Sequence, residues 1–172
     1  MPAVAITAPQ FPAAPDSVNP KSFKLSAALN LVTTRVVLVL DDDARLSATS
    51  LNSLVSALAD RELVTGLPYY RNALTLGGRM LAQFVNNNAA LVYLPLAPFA
   101  EPVTINGMCY AMRTAFLRSI GGFAPIVTHL ADDLALARHV RAHGGHLIQS
   151  TAPVELETAV PNFRRYKQLM HR

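Results

Sequence analysis

The residues best equipped for chemistry are three consecutive aspartates, Asp41, Asp42 and Asp43, which follow the apolar run Val36-Val37-Leu38-Val39-Leu40 with no spacer. Three adjacent carboxylates repel one another unless a cation or hydrogen-bond donors compensate them. Asp41 and Asp43 flank Asp42 in a turn leaving a strand, where alternate residues can point the same way, so the outer pair are candidates to share one divalent cation. Hard oxygen ligands suit Mn2+ or Mg2+. Such an ion commonly bridges protein to a diphosphate and neutralises charge on a leaving group. The competing reading is an Asp-rich turn that caps a helix, because aspartate is favoured in both places. A second acidic pair, Asp132-Asp133, stands where a helix begins. Asp132 suits N-capping and complements the helix dipole. Both cannot be caps, and the other is a candidate general base.

These groups need a scaffold, and the sequence outlines one. Residues 3 to 8 (AVAITA) read as a strand, and residues 9 to 22, with four prolines in fourteen residues, as a loop. A helix begins at Lys21, with Leu25, Ala28, Leu29 and Val32 on one face. Val36 to Leu40 is too continuously apolar for a half-exposed strand and predicts a buried one. Thr49 or Ser50 is expected to cap the next helix, whose face is Leu51, Leu54, Val55 and Leu58. Residues 62 to 66 (ELVTG) read as a strand ended by Pro68. Residues 72 to 94 read as helix, interrupted by Asn86-Asn87-Asn88. Residues 103 to 113 (VTINGMCYAMR) predict a strand, and TAFLRSIGG a short helix stopped by Gly121 and Gly122. A helix from Asp132 to Gly144, the strand HLIQS and a last helix from Pro161 complete the pattern. Strands alternating with helices predict an α/β sandwich with a largely parallel sheet. Ligands in such sheets sit beyond the carboxyl ends of strands, where the triple aspartate falls.

Composition narrows the classes. The chain has 172 residues, enough for one domain over 1–172; 51% are apolar and only 15% charged, against about 25% in an ordinary soluble domain. No run of 18 apolar residues marks a transmembrane helix, and no signal-peptide pattern is visible. The single Cys109 excludes an internal disulfide and fits a reducing compartment. Net charge is +4, with Arg138, Arg141, Arg164, Arg165, Lys167 and Arg172 gathered late. Such a cluster suits anionic lipid, nucleic acid or a phosphorylated substrate, or is simply a solvated face. No basic pattern interleaved with aromatics suggests nucleic-acid binding.

Two enzyme classes use a strand-end Asp-x-Asp with a later acidic pair. Haloacid-dehalogenase-like phosphatases follow Asp-x-Asp with a Thr or Val at the fifth position; here Arg45 stands there. The other class fits more of the chain. The blocks NPKSFKL, DDD, INGMCYAMRTAFLRSIGGF, ADDLALARHVRAHGGHL and FRRYKQLMHR, in this order, resemble the ceramide glucosyltransferase-like family (glycosyltransferase family 21), a branch of the inverting GT-A group. The resemblance spans about residues 3 to 172. It implies a GT-A sandwich that lacks the family's first strand–helix–strand, so that the chain is the central and late part of a catalytic domain.

The resemblance also implies roles. Asn19-Pro20-Lys21 lies near the nucleotide diphosphate; the family continues to Asn-Leu, where this chain has Lys24-Leu25. Asp41, Asp42 and Asp43 form the metal and nucleotide-sugar motif, with Asp41 and Asp43 on Mn2+ or Mg2+. Gly107 and Met108 line the acceptor cleft. Ala131-Asp132-Asp133 matches Ala-Glu-Asp, with Asp132 beside the substrate and Asp133 as catalytic base. Gln168 and Arg172 correspond partly to a Gln/Arg-x-x-Arg-Trp motif: Leu169 holds the position of the Gln or Arg, and Gln168 is one residue early. The implied reaction is inverting transfer from a nucleotide-sugar donor, a UDP-sugar, to the hydroxyl of a lipid acceptor such as ceramide or a hopanoid. It would run at the cytoplasmic face of a membrane, with spanning helices outside residues 1–172. A non-catalytic nucleotide-sugar- or membrane-binding role is the remaining alternative.

Overall fold

A computed structural model describes residues 7–71, 73–157 and 159–170. The strand expected over residues 3 to 8 falls largely outside them, as does Arg172. In chain order the elements are α1 Pro20–Ala28, β1 Val36–Leu40, β2 Ala44–Leu46, α2 Ala48–Ala57, β3 Leu63–Tyr69, α3 Leu76–Asn88, α4 Leu94–Leu96, β4 Cys109–Arg113, α5 Thr114–Ser119, α6 Asp132–Ala142, β5 Leu147–Leu156 and α7 Phe163–Met170. A π-helical turn, Ala89–Tyr93, joins α3 to α4.

Among the described residues the strands form one sheet in the order β1-β4-β3-β5-β2. Alternation along its central strands sorts side chains to two faces. Leu63, Tyr110 and Met112 enter one core with Leu117, Phe123, Leu136 and Val140. Val64, Cys109 and Ala111 enter the other with Leu54, Leu58, Val154 and Leu156. Helices α1, α5 and α6 supply the first layer and α2 the second, so this is an α/β sandwich, as the sequence pattern predicts.

The sheet is mixed rather than largely parallel. β3 and β5 run parallel, whereas β1–β4, β3–β4 and β2–β5 are antiparallel. Two strands are reversed: β4, which runs against β1 and β3, and β2, which the turn at the triple aspartate sends back against β5. β1 is also not the buried strand that its composition suggests. It pairs only with β4, only Val39 is fully buried, and Leu40 is 39% exposed.

Other expectations shift by a few residues for identifiable reasons. Ser47, not Thr49 or Ser50, caps α2, its hydroxyl accepting from Ser50 N. Of the predicted α2 face, Leu54 and Leu58 are buried while Leu51 and Val55 are exposed. Pro68 lies inside β3: past Thr65 only β5 pairs with this strand, so a missing N–H is tolerated. The three asparagines do not interrupt α3. Asn86 sits in its last turn and clasps Tyr70, accepting from its N at 2.8 Å and donating to its O at 3.0 Å. Gly121 (φ 87°) and Gly122 (φ 67°) stop α5 as expected, both in the left-handed region that suits glycine.

Candidate active site

Asp41 continues the pairing of β1 one residue further, its N donating to Met108 O at 2.9 Å. Ala44 N then returns to Asp41 O at 3.1 Å, closing a tight turn through Asp42 and Asp43. The far side is held by Glu157 N on Asp43 O at 2.8 Å. Aspartate is among the residues that favour such turns, so the triple aspartate is partly the turn that its composition allows.

Lys21 reaches this turn from the first turn of α1. Asn19 caps that helix, its Oδ1 accepting from Lys21 N (2.9 Å) and Ser22 N (3.2 Å), and Pro20 occupies the first helical position. The same asparagine ties the helix to the segment that precedes α6. Its N donates to Val127 O at 2.7 Å and its Nδ2 to His129 O at 3.1 Å. So placed, Lys21 Nζ lies 2.6 Å from Asp41 Oδ1 and donates to Gly107 O at 2.7 Å. One ammonium thus joins α1, the aspartate turn and the loop before β4.

Asp133 comes in from the start of α6. Its Oδ1 accepts from Leu134 N at 2.7 Å. A Cβ built on Gly107 would meet Asp133 Cβ at 3.5 Å and Lys21 Nζ at 3.9 Å, so the absent side chain keeps the floor open between cation and carboxylate. The result is a cleft of about 390 Å3 lined by Lys21, Asp41, Gly107, Met108, Asp132 and Asp133. These six are residues that the sequence singled out. Asp42 and Asp43 belong to the same tight turn as Asp41 but are not among the lining residues. Gln168 stands exposed on α7, away from the cleft. Asp132 is not the cap of α6 either: the N-cap is Ala131, without a side-chain bond.

The sequence did not point to Tyr93 and Asn106, which also line the cleft. Asn106 braces the loop, its N donating to Thr65 Oγ1 at 2.7 Å and its Oδ1 accepting from Met108 N at 3.3 Å. A larger depression of about 640 Å3 lies elsewhere, beside Arg35, Arg113 and Arg118. The guanidinium groups of Arg113 and Arg118 are committed to backbone carbonyls there, and no carboxylate lines it.

Burial and the neighbouring carboxylates shift the titrating groups in and beside the cleft. Burial raises Asp132; the Lys21 ammonium draws it back, Asp133 adds to the rise, and the net displacement is upward. Tyr110, beneath the site, is raised by burial and then by Asp132, Asp41 and Asp133, so it stays neutral. Burial, with help from Asp41, pushes the Cys109 thiol up to about 12, which makes it inert. Burial and then Asp133 raise Tyr93.

Among the described residues no three His, Cys, Asp or Glu side chains converge as a metal cage. The donors offered by the turn are aspartate oxygens only. Such a small, hard set fits magnesium or manganese, ions that take one or two carboxylates and complete their coordination with phosphate oxygens and water.

This fold is that of the GT-A glycosyltransferases. The chain matches the glycosyl transferase family 21 profile over residues 4–172, and it belongs to that family. The family assignment removes the phosphatase alternative. Among solved structures, the mannosyltransferase PcManGT from Pyrobaculum calidifontis, in complex with GDP-Man and Mn2+, is similar at 18% identity and TM-score 0.60, over 85% of this chain and 39% of that one. A mycobacterial protein is similar at 18% identity and TM-score 0.52, over 95% and 52%. Glucosyl-3-phosphoglycerate synthase from Mycobacterium tuberculosis, with Mn2+, UDP-Glc and glycerol 3-phosphate, is similar at 18% identity and TM-score 0.50, over 93% and 54%. The chain therefore spans between 39% and 54% of the length of these three. No curated protein matches the chain at a significant level.

Proposed function

We propose that this chain carries the reacting centre of an inverting transfer of a sugar from a nucleotide-diphosphate donor, a UDP-sugar, to the hydroxyl of a lipid acceptor. The observation that carries the reading is the meeting of Lys21, Asp41, Gly107 and Asp133 in one cleft. Lys21 offers the diphosphate a positive charge beside the aspartate turn. Asp41 and Asp43 would hold Mn2+ or Mg2+, which when bound neutralises charge on the departing diphosphate. Asp133, across the open floor at Gly107, accepts the proton of the acceptor hydroxyl as that oxygen attacks the anomeric carbon. A single displacement from the face opposite the leaving group inverts the configuration. The donors bound by the mannosyltransferase and the synthase are nucleotide sugars with Mn2+, which supports extending this donor class to the present chain.

The lipid acceptor is supported by the apolar composition and by the exposed basic and aromatic helix α7. Helix α7 is our candidate contact with the cytoplasmic face of a membrane; no helix among the described residues is long and apolar enough to cross one.

The test is thermal. Uridine diphosphate with Mn2+ should raise the melting temperature of the full-length protein, since a ligand that binds only the folded state stabilises it by about 2.7 kcal/mol at a hundred times its dissociation constant. Asp43→Ala should abolish the part of the shift that depends on Mn2+. An unchanged shift in that variant removes Asp43 from the metal site.

A further inference from the structure

The polar cleft has an apolar neighbour. Tyr93 and Thr104 line the cleft and also border a second cavity of about 240 Å3. The second cavity is walled by Val92, Leu96, Ala97, Ala100 and Val103. Val92, Tyr93, Leu96, Ala97 and Ala100 follow helical spacing, so one face of the π turn and α4 is presented to it.

Glu101 and Gln149, polar residues in its wall, are already engaged, as is the neighbouring Arg141. The Glu101 carboxylate takes His146 Nδ1 at 2.7 Å and Leu147 N at 3.4 Å. Gln149 Nε2 donates to Ser150 O at 2.9 Å and Gly66 O at 3.1 Å. The Arg141 guanidinium binds the carbonyls of Pro102 and Val103. A guest therefore meets hydrocarbon. The exposed part of the wall is hydrocarbon too: Leu96 is 55% exposed and Val103 76%. A sugar nucleotide would find no charge to pair with here, whereas an alkyl chain would lose contact with water at every methylene.

We propose that this cavity holds the hydrocarbon chain of the acceptor, an amphiphilic alcohol whose hydroxyl is carried past Tyr93 and Thr104 to Asp133. The assignment rests on the glycosyl-transfer reading and gives it the place where the lipid lies. It also explains why the segment that carries Tyr93 exposes so much apolar surface. Ala97 and Ala100, both small, leave the volume that the chain fills.

The experiment titrates the full-length protein with straight-chain primary alcohols from butanol to decanol. Binding is read from the side-chain methyl NMR signals of Val92, Leu96 and Val103, and uridine diphosphate affinity is measured on the same samples. Each added methylene should tighten binding about fourfold, equivalent to about 0.8 kcal/mol. Ala97→Trp, which fills the cavity from its half-exposed wall, should weaken decanol at least tenfold and leave uridine diphosphate affinity unchanged. Should that variant fail to fold, Leu96→Gln, at a side chain 55% exposed, should weaken decanol without loss of structure. Wild-type protein that binds uridine diphosphate but shifts none of these methyls overturns the chain site alone. Decanol bound as tightly by a folded variant as by the wild type also overturns it. Binding of neither ligand overturns the chain site and the glycosyl-transfer reading together.

Discussion

Lys21 Nζ and Asp41 Oδ1 stand 2.6 Å apart, although one residue opens a helix and the other leaves the sheet. Both side chains are about two-thirds buried, at 32% and 28% exposure, so the pair is screened less than a surface ion pair. Its companion bond to Gly107 O makes the ammonium a bracket between three segments. Lys21→Met should therefore cost about 1 kcal/mol of stability. A double-mutant cycle with Asp41→Asn should show coupling of similar size, because each change removes the same contact. Additive melting shifts in the cycle would mean that the two groups do not interact in solution.

Gly107 tests the floor of the cleft. A methyl group there would sit 3.5 Å from Asp133 Cβ, an ordinary van der Waals distance, and no positive φ constrains the position. Gly107→Ala should fold normally and keep most turnover. Gly107→Val pushes branched bulk between Lys21 and Asp133. It should lower turnover by at least tenfold with a melting temperature close to that of Gly107→Ala. Equal turnover in the two variants would place the reaction away from this floor.

Asp132 carries a pH signature. Burial, partly opposed by Lys21 and reinforced by Asp133, raises it above its ordinary value of 3.8. Between that value and the raised one, the folded state holds more protons than the unfolded state, so stability falls as pH rises through the window. Asp132→Asn removes this dependence. The difference in unfolding free energy, variant minus wild type, should rise as pH is raised from below 3.8 through the carboxylate range, then level off. A flat difference would show that the Asp132 carboxyl titrates alike in both states.

Helix α7 bears on the membrane proposal. Arg164 and Lys167 are exposed, and Phe163 stacks with Tyr166 at 5.7 Å between ring centres. Each basic residue near an anionic surface contributes about 1 kcal/mol, and salt screens the attraction. Vesicles containing phosphatidylserine should bind the full-length protein in low salt and release it in high salt, and Arg164→Glu with Lys167→Glu should abolish binding. Equal affinity for neutral vesicles would remove the electrostatic component.

Much of the site was legible because its residues belong to local signals. Asn19-Pro20 announces a helix start, the run of aspartates a turn after a strand, and Asp132 the start of α6. The structure adds that Asn19 also holds the loop before α6. What stayed hidden depends on tertiary placement. Nothing local reveals that Lys21 meets Gly107, or that Tyr93 arrives from a helical segment whose apolar pattern looks like core. The exposed edge of β1 was hidden for a related reason: an apolar run does not tell how many neighbours a strand has. Nor does it tell that the asparagines of α3 continue the helix, since the bond that engages Asn86 lies on Tyr70.

The most direct measurement concerns Asp133. Asp133→Asn and Asp132→Asn should be compared in the full-length protein for UDP-sugar binding and for turnover with an alcohol acceptor. A general base acts only as the new bond forms, so Asp133→Asn should lower turnover by about a hundredfold to ten-thousandfold and leave donor affinity nearly unchanged. Asp132→Asn should keep most of the turnover. Turnover retained by Asp133→Asn and lost by Asp132→Asn would give the base to the other carboxylate, and turnover retained by both would contradict base catalysis from this pair.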